Sequence, residues 1–355
     1  MLGKRHKLNP LITPEQIIPS REDFEVIGVF NPGAMMVNDE IFLLLRVAER
    51  PKKDAKVIHV PVLAPKGTPE KYPIRRITFN VGDPAIDSSD PRVLLHRGKI
   101  FLTSISHFRL ARSKDGCHFT VDTKPTIFPE GEYEEYGIED PRIMEIDGVY
   151  YITYSAVSSA GICTGLISTK NWKTFKRMGN IFHPTNKDVA FFPEKIKGNY
   201  IAFHRPDTVP FNKPSIWLAK SKDLIHWGEH ERLISPRDGY WDSDRIGAGA
   251  PPLKTPRGWL EIYHGVSEKH GYALGALLLD LENPSRVIAR SKIPIVEPRE
   301  SYEKKGFFQN TIFTDGFVRK SGAPDKLLLY YGAADKNICM QEISLKDILA
   351  SLKDS

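Results

Sequence analysis

Hydrophobic positions in this chain fall into short runs rich in β-branched and aromatic residues, each closed by a polar turn, rather than into the spacing of an amphipathic helix. The plainest case runs from Ile143 to Ile152. Two apolar segments flank Asp147-Gly148, the strongest short-range signal for a β-hairpin. The same plan of strand, polar turn and strand recurs at Asn31–Arg46, Ser89–Ser104, Phe191–Pro206, around Arg257-Gly258 up to Gly265, and up to Asp335, giving six hairpin-like units with the one at Asp147. Between them lies a second signature, an apolar strand entering a polar turn and in two of the three copies reaching an aromatic residue: Leu110–Gly116, Leu166–Trp172 and Leu218–Trp227. Each unit therefore holds about four strands at intervals of roughly 50–65 residues, the mark of a β-propeller. Helical spacing is confined to Thr13–Ile18 and Ser344–Leu349.

This periodicity predicts an all-β, single-domain β-propeller with short terminal helices. Residues 1–30 are expected as an N-terminal segment, 31–345 as the propeller and 346–355 as a helical tail. Length alone, at 355 residues, would suggest two domains, but repeat-built β folds run longer as one unit. The 27 prolines and 26 glycines punctuate turns throughout and gather into no linker.

Composition narrows the function classes. No apolar run approaches the ~20 residues of a membrane span, and the basic start Met1–Lys7 is not followed by the apolar stretch of a secretory signal. Three scattered cysteines, Cys117, Cys163 and Cys339, offer no metal spacing and no disulfide framework, which fits a reducing cytoplasm. Lysine and arginine total 50 against 44 acidic residues, a net charge of +6 spread along the chain. That distribution speaks against nucleic acid and would favour a small anion such as phosphate. The oligomeric state, a homo-oligomer included, leaves no readable mark.

In a propeller, matching strand ends converge on one funnel. The convergent set would be Arg46, Asp90 with Arg92, Asp140 with Arg142, His204 with Arg205, Tyr263 with His264, and Asp335. Any one of these reads equally as a structural cap, since Asp-Pro-Arg at a strand mouth forms an ion pair readily. Six at corresponding places read as a site. Carboxylates there can act as acid or base, and arginine forks suit phosphate. Gly247-Ala248-Gly249-Ala250-Pro251-Pro252 reads as a tight loop beside the channel, and neither a phosphate-cradling glycine loop nor a metal motif is present.

Glu139-Asp140-Pro141-Arg142, Phe192-Pro193-Glu194-Lys195 with His204-Arg205-Pro206, Gly247–Pro252 and Tyr263-His264-Gly265 together resemble glycoside hydrolase family 130, the mannoside phosphorylases and related mannosidases. The resemblance spans Asn31 to Asp335 and implies five blades, against the six units counted. It implies inverting phosphorolysis, in which inorganic phosphate, a co-substrate and not a cofactor, attacks a β-mannoside and releases α-D-mannose 1-phosphate. Asp140 would be the general acid, acting through a mannose hydroxyl, with its pKa raised by burial or by Glu139. Phosphate would be held by Arg205, Tyr263 and His264, with Lys187 and His204 beside them. By repeat position the sugar would meet Arg46, Asp90, Arg92, Glu139, Arg142 and Asp335, and Trp241-Asp242-Ser243-Asp244-Arg245 would line the acceptor side. The two Asp-Pro-Arg units and the length are most similar to the β-1,2-mannobiose and oligomannan branch. A β-1,4-mannosyl-glucose or β-1,4-mannooligosaccharide phosphorylase, a β-mannosidase and a non-catalytic carbohydrate-binding propeller stand as alternatives.

Overall fold

A computed structural model describes residues 2–352; Met1 and residues 353–355, the end of the expected tail, lie outside the described residues. Within them the chain folds as a ring of five antiparallel blades. Blade 1 is built from Phe24–Val37, Glu40–Pro51 and Ile105–Ser113, with the short Thr120–Val121 outside them. Blade 2 comprises Gly137–Ile146, Val149–Ser158, Gly161–Thr169 and Lys176–Phe182; blade 3 comprises Asn186–Phe191, Tyr200–Pro206, Ile216–Ser221 and Trp227–Ile234. Blade 4 runs through Arg245–Gly247, Gly258–Ser267, Gly271–Leu279 and Val287–Arg290. Blade 5 is Ile312–Lys320, Ala323–Ala333 and Asn337–Ser344, and the N-terminal strand Lys4–Arg5 adds to its outer edge through Lys4↔Glu342 and Arg5↔Gln341. The two ends of the chain thus share a blade and close the ring.

The sixth unit is not a blade. Ser89–Ser104 lies in an insertion between the second and third strands of blade 1, which forms a two-stranded ribbon (Val57–Leu63 with Ile74–Asn80) and a three-stranded sheet (Ile86–Asp87, Val93–His96, Lys99–Leu102). Its strands are short, and the cross-strand pair Leu95↔Ile100 faces solvent. A hairpin pattern alone does not say whether a hairpin can bury a face. The boundary expected at residue 31 also shifts: the first inner strand already begins at Phe24, and Ile12 bridges to Ile338. The tail helix forms as Leu345–Ser351, with Ser344 accepting from the Asp347 amide as its N-cap.

Cohesion comes from the seams between blades. Phe192 and Phe203 of blade 3 pack with Trp241, Trp259 and Tyr263 of blade 4, and Leu260, Ile262 and Leu274 of blade 4 pack with Ile312, Leu329 and Tyr331 of blade 5. Each fully buried side chain of this size contributes about 1.5–3 kcal/mol. The first strands of blades 1, 2 and 5 pack directly on one another at the axis, which makes them the walls of the central channel.

Candidate active site

The inner strands break register at matching places: between Phe30 and Gly33, Glu139 and Arg142, Lys187 and Ala190, and Phe313 and Gly316. Within the first three of these bulges sit Asn31, Asp140 and Asp188, with φ of 47°, 52° and 56°. Asparagine and aspartate tolerate this left-handed region far better than other side chains. A bulge kinks its strand and re-aims a side chain. Here it turns three Asx side chains into one space.

That space is a cavity of about 280 Å³ at the channel mouth, lined by Phe30, Asn31, Arg46, Glu139, Asp140, Lys187, Asp188, Arg205, Arg245, Tyr272, Phe308 and Asp335, among others. On one side Arg46 clamps two carboxylates: Nη1 donates to Asp140 Oδ1 at 2.9 Å and Nη2 to Glu139 Oε1 at 2.6 Å. The Arg46 guanidinium lies 4.6 Å from the Phe30 ring centre, and Asn31 Nδ2 donates to the same Asp140 oxygen at 2.9 Å. Burial pushes the Asp140 carboxyl up, but Arg46, the Asn31 bond, Arg142 and Lys187 outweigh it and hold the group below its ordinary range. This reverses the raised pKa expected for the acid, because the Arg46 fork had no place in that expectation. Asp335, in the turn between the second and third strands of blade 5, goes the other way. Burial, with Asp140 and Glu139 adding to it against Arg46 and Arg92, pushes it to about 6.

Opposing these carboxylates is a cationic wall from blades 3 and 4. Lys187 and Arg205 are cross-strand partners. Arg205 Nε lies 3.0 Å from Asp188 Oδ2, and His264 Nε2 lies 3.3 Å from the same oxygen. Burial lowers His264 to about 4 despite Asp188, so the ring is neutral at pH 7. Burial, then Arg205, also pulls Lys187 down from its usual value. Arg245, on the inner strand of blade 4, lies over Tyr272 at 5.6 Å, and its buried Nε has no hydrogen-bond partner among the described residues. Gly247 explains the tight loop: a Cβ there would strike the Asp188 carboxylate and the His264 ring.

Of the residues singled out from sequence, Arg46, Arg92, Glu139, Asp140, Lys187, Arg205 and Asp335 line the cavity, and His264 sits directly behind Arg205. Arg142 does not. It is 2% exposed and saturated below the cavity floor by the carbonyls of Gly249 (2.7 Å), Ala248 (3.0 Å) and Asp140 (3.1 Å), with Asp315 at 2.9 Å and Asp188 at 3.3 Å. Its role is to lock three inner strands together, not to meet sugar. Asp90 spends both oxygens on Arg92 at 3.0 and 2.7 Å, which steers Arg92 over the Phe308 ring at 4.4 Å.

His204 and Tyr263 are also corrected. Successive strand residues point to opposite faces, so of His204-Arg205 and Tyr263-His264 only the second of each pair lies on the site's side, Arg205 in the cavity and the fully buried His264 behind it. His204 packs on Phe182 and bonds Asn186 and His230 at 3.0 and 3.1 Å. Tyr263 is fully buried, donating to Asp242 Oδ2 at 2.7 Å and accepting from Arg290 Nε at 3.0 Å. Tyr263→Phe is therefore expected to leave the phosphate KM within about twofold and to cost roughly 1–3 kcal/mol of stability. Thermal unfolding beside phosphate-dependent kinetics checks both halves. Sequence reasoning missed Asn31, Asp188, Tyr272 and Phe308 and named Arg245 only as a residue of the acceptor side. Asn31 and Asp188 could have been found by aligning the inner strands on their bulges; Phe308 belongs to an irregular segment and carries no repeat signal.

A family model described as beta-1,4-mannooligosaccharide phosphorylase matches residues 91–354. The β-1,2-mannobiose phosphorylase of Listeria innocua is 43% identical over 353 residues, which covers 98% of each chain. A solved structure of β-1,2-mannobiose phosphorylase from that organism, in complex with β-1,2-mannobiose, aligns over the whole of both chains with a TM-score of 0.94 and 42% identity. A 1,2-β-oligomannan phosphorylase of Thermoanaerobacter sp. is 42% identical over 69% of this chain and 80% of its own. With its five blades and a clamped aspartate facing a cationic wall, the chain belongs to glycoside hydrolase family 130.

Proposed function

We propose that this protein catalyses reversible, inverting phosphorolysis of β-1,2-mannosides, releasing α-D-mannose 1-phosphate and a sugar one mannose shorter. The observation that carries this reading is the wall of Lys187, Arg205 and Arg245, with a buried Arg245 Nε that has no hydrogen-bond partner among the described residues, in the cavity that also holds Asp140. Inorganic phosphate supplies acceptors for such donors and its own nucleophilic oxygen. An inverting hydrolase would instead need a free carboxylate on that face to activate water. Asp188 cannot serve, since Arg142, Arg205 and His264 surround it and hold it well below its usual range against burial.

In this reading, phosphate seated on the cationic wall attacks the anomeric carbon from the face opposite the departing sugar. As the glycosidic bond breaks, Asp140 gives a proton, through a mannose hydroxyl, to the leaving oxygen. The proton carried by hydrogen phosphate returns to Asp140, so the cycle closes without a second base. Bringing a phosphate anion and an apolar sugar face against Asp140 raises its proton affinity from the low value that Arg46, Asn31, Arg142 and Lys187 impose against burial. Arg46 and Glu139 orient Asp140, while Asp335, Arg92 and Phe308 bound the sugar side.

The family description names β-1,4-linked substrates, whereas the two relatives above, each more than 40% identical, are β-1,2 enzymes. We follow the relatives. The cavity lies at the small end of ligand sites, which run from about 300 to 1,000 Å³, and suits short chains. Mannose 1-phosphate is expected to form only when phosphate is supplied. Equal release of free mannose without phosphate would establish a mannosidase, and no turnover with phosphate binding absent would leave a carbohydrate-binding propeller. Reverse synthesis from mannose 1-phosphate, with the product linkage read by NMR, separates β-1,2 from β-1,4. The cysteines are free, and no helix among the described residues is long and apolar enough to cross a membrane. We place the enzyme in a reducing cytoplasm on the cysteines.

A further inference from the structure

Outside the cavity, one buried carboxylate is bonded far beyond what its own short helix requires. Glu303, in Ser301–Lys304, is fully buried. It accepts from Arg5 Nε at 2.9 Å and Arg5 Nη2 at 3.1 Å, from the Arg299 and Glu300 amides at 2.7 and 2.9 Å, and from Tyr331 Oη at 2.7 Å. Arg5 adds a bond to the Glu297 carbonyl at 2.7 Å. The hub thus joins the ring-closing N-terminal strand to the segment that follows it, 305–311.

That segment is a wall of the cavity, contributing Phe307, Phe308 and Thr311. It holds no regular secondary structure of its own, so its shape depends on what grips it. Thr311 N donates to the Glu303 carbonyl at 3.0 Å, Phe308 N to the Ala334 carbonyl at 3.1 Å, and Ala334 N to the Thr311 carbonyl at 2.9 Å. Gly306 packs so closely on Ala334 that a Cβ would clash. Asp335 follows Ala334 directly and faces the cavity, while Tyr272 N donates to the Asn310 carbonyl at 3.0 Å. Placement of Phe308, the Asp335 turn and the start of the Tyr272 strand therefore passes through one anchored loop.

We propose that Arg5 and Glu303 are positioning residues for the mannoside side of the site, so that the N-terminal strand closing the ring also sets the wall against which the sugar binds. The proposal rests on the phosphorylase reading above for what occupies the cavity. Arg5 makes a two-nitrogen fork to Glu303, which lysine reproduces only as a point charge. Arg5 is on the outer strand, so its loss leaves the blade seams intact.

The test is steady-state kinetics of Arg5→Ala and Arg5→Lys with β-1,2-mannobiose and phosphate varied separately, beside thermal unfolding. Arg5→Ala is expected to raise the mannobiose KM about tenfold and the phosphate KM by less than about twofold, with Arg5→Lys in between. Unchanged KM values with a lower Tm would reduce the hub to a structural staple and overturn the proposal, as would equal rises in both KM values. Wild-type enzyme run with and without phosphate separates this failure from failure of the phosphorylase reading. If Arg5→Ala does not fold, Arg5→Lys alone decides, through the same asymmetry between the two KM values.

Discussion

Asp140→Asn should lose about 10³–10⁴-fold in kcat for phosphorolysis while keeping the fold. Removing a general acid costs about this much, and little else in the site changes. Asparagine tolerates the left-handed backbone at this position, where φ is 52°. Its amide oxygen still accepts from Arg46 and Asn31, and Glu139 keeps the other half of the Arg46 fork. Circular dichroism and Tm should match the wild type. The pH profile carries a sign. A general acid works only while protonated, so the wild-type rate falls as pH rises through the Asp140 pKa of the ternary complex, and a rate that rises there would make Asp140 a base. Asp335 is the control. It sits at about 6 while Asp140 is held low, so Asp335 is the carboxylate more ready to hold a proton. If Asp335→Asn removes turnover as completely as expected for Asp140→Asn, and Asp140→Asn does not, the acid must be reassigned.

The second large effect is expected at Arg205. Arg205→Ala should lower kcat/KM for phosphate by about 10²–10³-fold, the scale of removing a preorganised donor from a developing anion. The mannoside KM should move much less. Arg205 also shapes its neighbours: it presses down the proton affinity of His264, while Asp188 raises it. Burial is the main cause of the low His264 value and remains in the variant. Without Arg205, His264 therefore moves up from about 4 but stays below the ordinary histidine range, taking up a proton at a higher pH than in the wild type. The deficit of the variant relative to wild type should therefore shrink towards pH 5. A ratio that stays flat from about pH 8 to 5 would show that His264 gains no charge in the variant over that range. A phosphate KM that does not change at all would move the phosphate site off this wall.

How much of the site was legible follows from how each residue is presented. Arg46, Asp140, Arg205 and Asp335 stand at strand ends in recurring contexts, repetition pointed to them, and all four line the cavity. Asp90 stands in a context as convincing as that of Asp140, yet its hairpin is an insertion whose strands bury no blade face. Similar local sequence is compatible with either outcome, because blade membership depends on which strand pairs with which. His204 and Tyr263 failed for a simpler reason, the two-residue alternation of a strand, which the sequence contained but which needs one fixed point to phase it. Arg245 was noticed only as part of the acceptor side, since its three-residue strand has no hairpin pattern.

Apolar runs, Asp-Gly turns and the spacing between them were enough to determine a propeller, because strand alternation and turn chemistry are local properties of the chain. The grouped motifs were enough for the family and for an aspartate facing basic side chains. What only the tertiary structure decided was depth and partnership. Arg142 became a lock beneath the floor, Arg46 a clamp that keeps Asp140 ionised, and Glu303 the anchor of a cavity wall. These roles arise from burial and from charges that lie 46 to 298 residues apart in sequence. Burial and charge contacts of that kind exist only once the ring has closed.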